Sequence, residues 1–478
     1  MTIPYGAGDL RPGFPPVAMP SGAQRPRLTF LGTGYLGATY AICFAELGYE
    51  VIGFDVDEAK IDLLSSGSVP FHEPGLEKLL RDNLAAGRLR FTTSYADTAE
   101  FGDVHFICVG TPQRQGGMGA DLSHVESAVT NLAEHLTRRS LIVGKSTVPV
   151  GTAEWVEHLV SERVAPELGV EVAWSPEFLQ EGFAVEDVLR PNRIVVGVKT
   201  QWANSMLYEA HKGVFDLAVT EDRDVPLLVT DFATAELVKV AANAFLATKI
   251  SFINAMAEVC EVAGGDVVQL ARAIGYDPRI GSRFLQAGVG FGGGCLPKDI
   301  RAFQARAQEL GAGEAVRFLH EVDLINTRRR ARVLQLAAEM LDRPAGPAGP
   351  DLSGMQIAVL GATFKPNSDD IRDAPALAIA AALANAGAEV RVYDPEGGEN
   401  AKRAQPSLGH VKSMDDAVYA ADLVCVLTEW AEFRNADPVK LAGMVTRRNV
   451  IDGRNCLPMS AWSAAGWRYR GMGRAASA

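Results

Sequence analysis

The chain has 478 residues, 47% hydrophobic and 22% charged, with a formal net charge of −12. That length fits two to three domains with ample core. The acidic balance argues against a nucleic-acid partner, yet an anionic ligand can still sit in a locally basic pocket.

Residues 1–26 are rich in Pro, Gly and small residues and are expected to form a disordered N-terminal extension without a targeting role. Leu28–Leu31 is an apolar run suited to a buried strand. Gly32-Thr33-Gly34-Tyr35-Leu36-Gly37 follows, then a helical stretch from Ala38 to Leu47 and a second strand, Glu50 to Phe54, ending at Asp55. Gly32 suits a tight turn, Gly34 close approach of a pyrophosphate, and Gly37 close packing of helix on strand. The helix N-terminus then faces the phosphates. Asp55 lies 21 residues after Gly34, where an acid accepts from a ribose and repels a 2′-phosphate. The pattern is a dinucleotide fingerprint and favours NAD over NADP.

Further strands are predicted at Val104–Val109, Ser140–Gly144, Val170–Trp174 and Arg193–Val198, alternating with helices as in a parallel sheet. Polar residues gather at their C-terminal ends, where such sheets bind ligands: Gly110-Thr111-Pro112, Lys145-Ser146-Thr147, and Ser175-Pro176-Glu177-Phe178-Leu179-Gln180-Glu181-Gly182. Asp231 to Ala263 has helical apolar spacing and no proline. Lys239 and Asn243 share one face of that helix. A lysine there must reach either solvent or a partner, and both readings stay open.

Gly288-Val-Gly-Phe-Gly-Gly-Gly-Cys295-Leu-Pro-Lys298-Asp299 crowds five glycines before a single thiol. The thiol is either a structural cysteine beside a flexible loop or a nucleophile held partly as thiolate; the fingerprint upstream favours the second. The other cysteines, Cys43, Cys108, Cys260, Cys425 and Cys456, form no CxxC or metal spacing. They read as reduced thiols of a cytoplasmic chain with no metal site. No apolar run is read as long enough to span a membrane.

Ala315 to Leu341 is a second long helical stretch, whose Arg328, Arg329, Arg330 and Arg332 read as a solvated or inter-domain face. Pro344 to Pro350 is a linker by composition. Beyond it, Gln356–Gly361, Glu389–Asp394, Leu423–Leu427 and Asn449–Ile451 mark a second α/β sheet. Its turn, Gly361-Ala-Thr-Phe-Lys-Pro, lacks two fingerprint glycines, so this half is expected to bind something other than a dinucleotide pyrophosphate. Lys365, Arg372 and Arg454 supply positive charge there, either for a ligand or as surface ion-pair partners.

Six ordered motifs stand on this one chain: Gly32 to Gly37, Ser146-Thr-Val-Pro-Val-Gly, Pro176-Glu-Phe-Leu-Gln-Glu-Gly, Lys239-Val-Ala-Ala-Asn243, the Cys295 loop and Asp452-Gly-Arg454. With them the chain resembles the UDP-glucose/GDP-mannose dehydrogenase family, most closely its UDP-glucose 6-dehydrogenase branch, from Leu28 to about Pro458. The resemblance implies two Rossmann-like doubly wound domains joined by a long central helix. The regions would be an NAD-binding domain at 27–226, a central helical domain with the cysteine loop at 227–343, and a nucleotide-sugar-binding domain at 351–478. It implies NAD-dependent oxidation of UDP-glucose to UDP-glucuronate in two hydride transfers. Cys295 would form a thiohemiacetal and then a thioester, with Lys239 and Asn243 on the C6 oxyanions. Asp299 would act in proton transfer, Glu177 as base in hydrolysis, and Thr147 in positioning water and touching the cofactor.

By the same resemblance Gly32, Gly34, Leu36, Gly37, Asp55, Lys60, Thr111, Glu181, Lys298 and Arg372 line NAD. Glu177, Phe178, Leu179, Gln180, Glu181, Phe284, Leu285, Gln286, Ala287, Gly288, Gly292, Lys365 and Arg454 line the sugar nucleotide. Arg279 would reach the substrate of a neighbouring subunit, implying at least a homodimer. Gly110 departs from the proline of many relatives. A GDP-mannose or UDP-N-acetylhexosamine 6-dehydrogenase would share every catalytic group. A silent NAD-sensing or scaffold protein would be expected to have lost Cys295, Lys239 or Asp299, and all three are present.

Overall fold

The structure is a computed structural model that describes residues 25–343, 345–346 and 349–474. The chain forms two compact units, one ending at Ala241 and the other starting at Ala242.

In the first unit, strands β1 (Leu28–Leu31), β2 (Val51–Phe54), β3 (Leu89–Thr92), β4 (Val104–Ile107), β5 (Leu141–Gly144), β6 (Glu171–Trp174), β7 (Ile194–Gly197) and β8 (Leu227–Thr230) make one sheet. Their order is β3-β2-β1-β4-β5-β6-β7-β8. From β3 to β6 all neighbours are parallel. The expected parallel sheet needs a correction at its far edge, because β7 pairs antiparallel with β6 through Trp174 and Gly197. β8 lies beyond the expected boundary at 226 and belongs to this sheet through its parallel pairing with β7.

Strands β1, β2, β4 and β5 are buried at every position. They read as continuous apolar runs because helices cover both faces. One face packs Phe30, Phe44 and Phe106, with Phe30 and Phe106 stacked at 4.8 Å. The other face packs Val129, Leu132, Ile142, Val156 and Trp174. Each such large side chain contributes about 1.5–3 kcal/mol by leaving water.

In the second unit a short ladder pairs β9 (Ala345–Gly346) with β10 (Gly349–Pro350) inside the expected linker. Strands β11 (Gln356–Leu360), β12 (Glu389–Tyr393), β13 (Gly409–His410), β14 (Leu423–Val426), β15 (Asn449–Asp452) and β16 (Arg468–Gly471) follow. They run β13-β12-β11-β14-β15-β16, all parallel, the doubly wound order shared by the first six strands of the first sheet. Asp394, the acid at the end of β12, is saturated from within. Its Oδ2 accepts from the backbone N–H groups of Ala362 and Thr363, the Thr363 hydroxyl and the Trp430 indole. Its Oδ1 accepts from the N–H groups of Glu396 and Gly397.

Phe232–Ala263 is a single 32-residue helix whose start is capped by Asp231, which accepts from the Thr234 N–H at 2.7 Å. Contrary to the sequence reading, its length and composition would suffice to cross a bilayer, although 44% of its most apolar window is buried inside the protein. It also carries Glu236, Lys239, Asn243 and Asn254, all buried, which identifies a core helix. The other long stretch is a helix from Phe318 to Met340. Here Arg329 overturns the solvated-face expectation: its side chain is 0% exposed.

The expected N-terminal extension falls outside the described residues except at its end. There Arg25 is held, its Nη1 donating to the Leu47 carbonyl at 2.6 Å and its guanidinium lying 5.1 Å from the centre of the Tyr49 ring.

Candidate active site

In the first unit the turn after β1 opens a helix, Tyr35–Glu46, that begins three residues earlier than the sequence spacing predicts. Gly32 takes φ +93°, and a Cβ on Gly37 would collide with the Gly32 carbonyl, so turn and helix are pressed together. A Cβ at Gly34 would meet nothing within 4 Å. That open approach to a helix N-terminus fits a dinucleotide pyrophosphate. Asp55 at the end of β2 accepts from the Thr33 N–H and Lys60 Nζ, both at 2.8 Å, through Oδ2. Among the described residues Oδ1 accepts one hydrogen bond, from the Asp57 N–H at 3.2 Å. Burial works to raise the Asp55 carboxyl, but the Lys60 ammonium and the backbone donors outweigh it and hold the group below its ordinary value. It is therefore an anion with one oxygen available to a ribose.

Thr111 and Thr147, from the ends of neighbouring strands, meet: the Thr111 hydroxyl donates to the Thr147 carbonyl at 2.8 Å. Past β6, Glu177 is buried with its Oε1 3.0 Å from Lys239 Nζ, the two side chains 9% and 7% exposed. Its Oε2 accepts from the Leu179 N–H at 2.7 Å, which bends the segment Phe178–Gln180 around the carboxylate. Phe178 lies 5.6 Å from the Lys239 ammonium. Of the two readings left open for Lys239, the partner is the one observed.

In the second unit Cys295 is the exposed member of the six thiols. It caps the N-terminus of a 14-residue helix, Leu296–Glu309. The partial positive charge at that end favours an anion on the cap. By contrast, burial pushes the Cys108 and Cys425 thiols up to about 12, so they stay protonated and inert. One turn into the helix, Asp299 is 2% exposed. Its Oδ2 accepts from the Asn243 amide and its Oδ1 from Lys298 Nζ, both at 2.7 Å. Lys298 thus rests on Asp299 here.

The glycine-rich loop ahead of Cys295 is shaped by what surrounds it. A Cβ on Gly290 would strike Asn326, one on Gly292 the Asp373 carbonyl, and one on Gly293 or Gly294 the Phe364 ring or Arg372 guanidinium. Asn326 grips Phe291 as a strand would, accepting its N–H at 2.7 Å and donating to its carbonyl at 3.0 Å. Asn254 accepts from the Gly288 N–H at 2.9 Å, and Arg329 donates to the Gly288 carbonyl at 3.3 Å. Leu285 and Ala287 are buried, whereas Gln286 is exposed. Phe284 has φ +63°, a strained value for an aromatic residue and of the kind found at binding sites.

Arg454 spends three donors on backbone, to the Leu427, Gly290 and Phe364 carbonyls, and pairs with Glu429 at 3.2 Å. Arg372 forks onto Asp370, while its carbonyl accepts from the Gly293 N–H. Lys365 lies 5.5 Å from the Phe364 ring centre. Arg279 is 87% exposed and forks onto Asp277 in its own turn.

Sequence reasoning missed the loop clamps Asn254, Asn326 and Arg329. One signal was present: Asn254 lies 11 residues after Asn243, about three helical turns on and on the same face of an apolar helix.

Two doubly wound sheets, a dinucleotide turn with its acid, and an exposed thiol capping a helix define an NAD-dependent dehydrogenase. Models of the UDP-glucose/GDP-mannose dehydrogenase family match along the chain. The NAD binding domain matches residues 26–215, the central domain 233–328 and the UDP binding domain 358–459. The chain belongs to this family. It is 42% identical to a UDP-glucose 6-dehydrogenase of Rhizobium meliloti (strain 1021) over 94% of this chain and 99% of the relative. It is 38% identical to one of Bacillus subtilis (strain 168) over 94% and 98%. A solved UDP-glucose dehydrogenase of the archaeon Pyrobaculum islandicum aligns with a TM-score of 0.85 at 35% identity, covering 96% of this chain and all of the other.

Proposed function

We propose that the protein oxidises the C6 alcohol of UDP-glucose to a carboxylate, releasing UDP-glucuronate. The observation that carries the reading is Cys295, exposed at a helix N-terminus, with Asp299 held by Asn243 one turn further in. NAD⁺, held by the residues named below, would supply the two-electron oxidant for each of the two oxidations at C6. Once C6 is an aldehyde, Cys295 Sγ attacks its carbonyl carbon and retains the sugar as a thiohemiacetal. Loss of the thiohemiacetal hydroxyl proton and of a second hydride, to a second NAD⁺ taken up in place of NADH, would leave a thioester; water hydrolyses it to the carboxylate and frees the Cys295 thiol.

Lys239 and Asn243 donate to the oxygen at C6 as charge develops there. Asp299 moves protons through a water, and Glu177 draws the proton from the hydrolytic water. Thr147 orients that water. Gly32, Gly34, Leu36, Gly37, Asp55, Lys60, Thr111, Glu181, Lys298 and Arg372 hold the cofactor. Phe178, Leu179, Gln180, residues Phe284 to Gly288, Gly292, Lys365 and Arg454 receive the sugar nucleotide. The working regions follow the expected bounds, 27–226, 227–343 and 351–478, except that β8 carries the first on to Thr230, in a cytoplasmic enzyme.

The test is the stoichiometry of NADH formation. About two NADH per UDP-glucose are expected, with UDP-glucuronate as product and GDP-mannose turned over far more slowly. Free aldehyde with one NADH per sugar would sink the thiol step, and faster turnover of GDP-mannose would sink the choice of base and sugar.

The same reading includes a homodimer in which Arg279 reaches the partner's substrate. Supporting it, Phe245, Phe252 and Val259 are 67%, 49% and 56% exposed at seven-residue spacing on one helix. A second copy would cover that stripe. Phe252→Glu is expected to shift the mass in light scattering from two chains to one; a wild-type protein already at the mass of one chain would remove the dimer.

A further inference from the structure

Glu73 is a buried carboxylate, 6% exposed, to which the chemistry above gives no part. It lies in Pro70-Phe71-His72-Glu73-Pro74, ahead of the helix Leu76–Ala85, far in sequence from the residues it holds. Its Oε2 accepts from the Gly182 N–H at 2.6 Å and its Oε1 from the Ala184 N–H at 2.8 Å. The first donor ends the loop that carries Glu177 and Glu181, and the second opens the helix Ala184–Leu189 that follows it. Glu73 also accepts the hydroxyl of Tyr35, which itself takes the Gly182 N–H at 3.0 Å. Tyr35 is the residue between Gly34 and Leu36 in the dinucleotide turn, and its ring lies 4.7 Å from that of Phe71. Burial, and then the Glu73 carboxylate beside it, raise the Tyr35 hydroxyl well above its ordinary value, so it remains the donor.

One residue thus has its backbone at the pyrophosphate approach and its hydroxyl on the bracket that fixes the Glu177–Gly182 segment. We infer that Tyr35 and Glu73 are positioning residues that transmit occupancy of the dinucleotide turn to that segment, ordering Glu177 and Glu181 when NAD is bound. A ligand against the turn restrains the Tyr35 backbone, the ring carries the restraint to Glu73, and Glu73 passes it to the amides of Gly182 and Ala184. The catalytic consequence rests on the roles proposed above for Glu177 and Glu181; the coupling to NAD does not.

Hydrogen exchange of the full chain, with and without NAD⁺ and with no sugar nucleotide present, separates the two. In the wild type NAD⁺ should slow exchange across residues 178–188. Tyr35→Phe keeps the ring on Phe71 and removes one hydroxyl. It should speed exchange there by about fivefold to tenfold and abolish the response to NAD⁺, with NAD⁺ affinity kept within about threefold. Glu73→Gln should do the same, and the double variant should be no worse than the stronger single one. In turnover, Tyr35→Phe should lower kcat more than it raises the KM for the sugar nucleotide. Equal slowing by NAD⁺ in wild type and Tyr35→Phe would overturn the inference, as would effects of the two substitutions that simply add. Because the exchange arm contains no sugar nucleotide, it decides the coupling whichever substrate the enzyme takes.

Discussion

Cys295→Ser is expected to cut UDP-glucuronate formation by well over ~10³-fold while leaving UDP-glucose binding within a few-fold of the wild type. Serine keeps the size and polarity of the cap. Its hydroxyl is a far poorer nucleophile at neutral pH than a thiol, which is partly ionised and intrinsically reactive. The fold should not change, since Cys295 is exposed and its side chain makes no capping bond to the helix it begins. Equilibrium binding of UDP-glucose and quantified UDP-glucuronate separate the two effects. Near-normal UDP-glucuronate production by the variant would make the thiol structural and end the thioester mechanism.

A second large effect is expected at Lys239, where activity and stability should part company. Lys239→Met removes the cation facing Glu177 at 3.0 Å and leaves a buried carboxylate with one backbone donor. Breaking a buried pair from one side costs about 3–5 kcal/mol, which denaturant unfolding would read as a lower midpoint with an unchanged slope. Turnover should fall by about 10²–10³-fold, as for loss of an oxyanion donor. Adding Glu177→Gln should restore most of the lost stability, because no unpaired charge remains, and none of the activity. If the double variant recovers turnover along with stability, Lys239 serves only the fold.

Strands whose side chains are buried on both faces were legible, since each is a short unbroken apolar run: β1, β2, β4, β5 and β14 are buried throughout. The edges were not. β3 alternates an exposed Arg90 with apolar neighbours and presents no such run; β8 does present one, Leu227-Leu-Val-Thr230, but is half-buried at every position and falls just past the expected domain boundary. The direction of β7 leaves no trace in its composition. At the site, Lys239 with Asn243 and Cys295 with Asp299 were legible because helical spacing sets each pair on one element. Asn254, Asn326 and Arg329 escaped because their partners are backbone atoms 34, 35 and 41 residues away, and contacts to backbone carry no residue signature.

Asp394 shows that the same strand order and the same terminal acid do not by themselves make a second dinucleotide site. A carboxylate offers about four lone-pair sites, and six donors already converge on this one. An engineer wanting a second dinucleotide cradle would not obtain it by writing the two missing glycines after Gly361. The acid that would greet a ribose has become masonry, keyed into its own turn and into Trp430 across the sheet end. Redesign would have to begin at Trp430 and Thr363, releasing Asp394 before any nucleotide could claim it. Every step of that release would loosen the joint that holds the C-terminal sheet's first crossover in place.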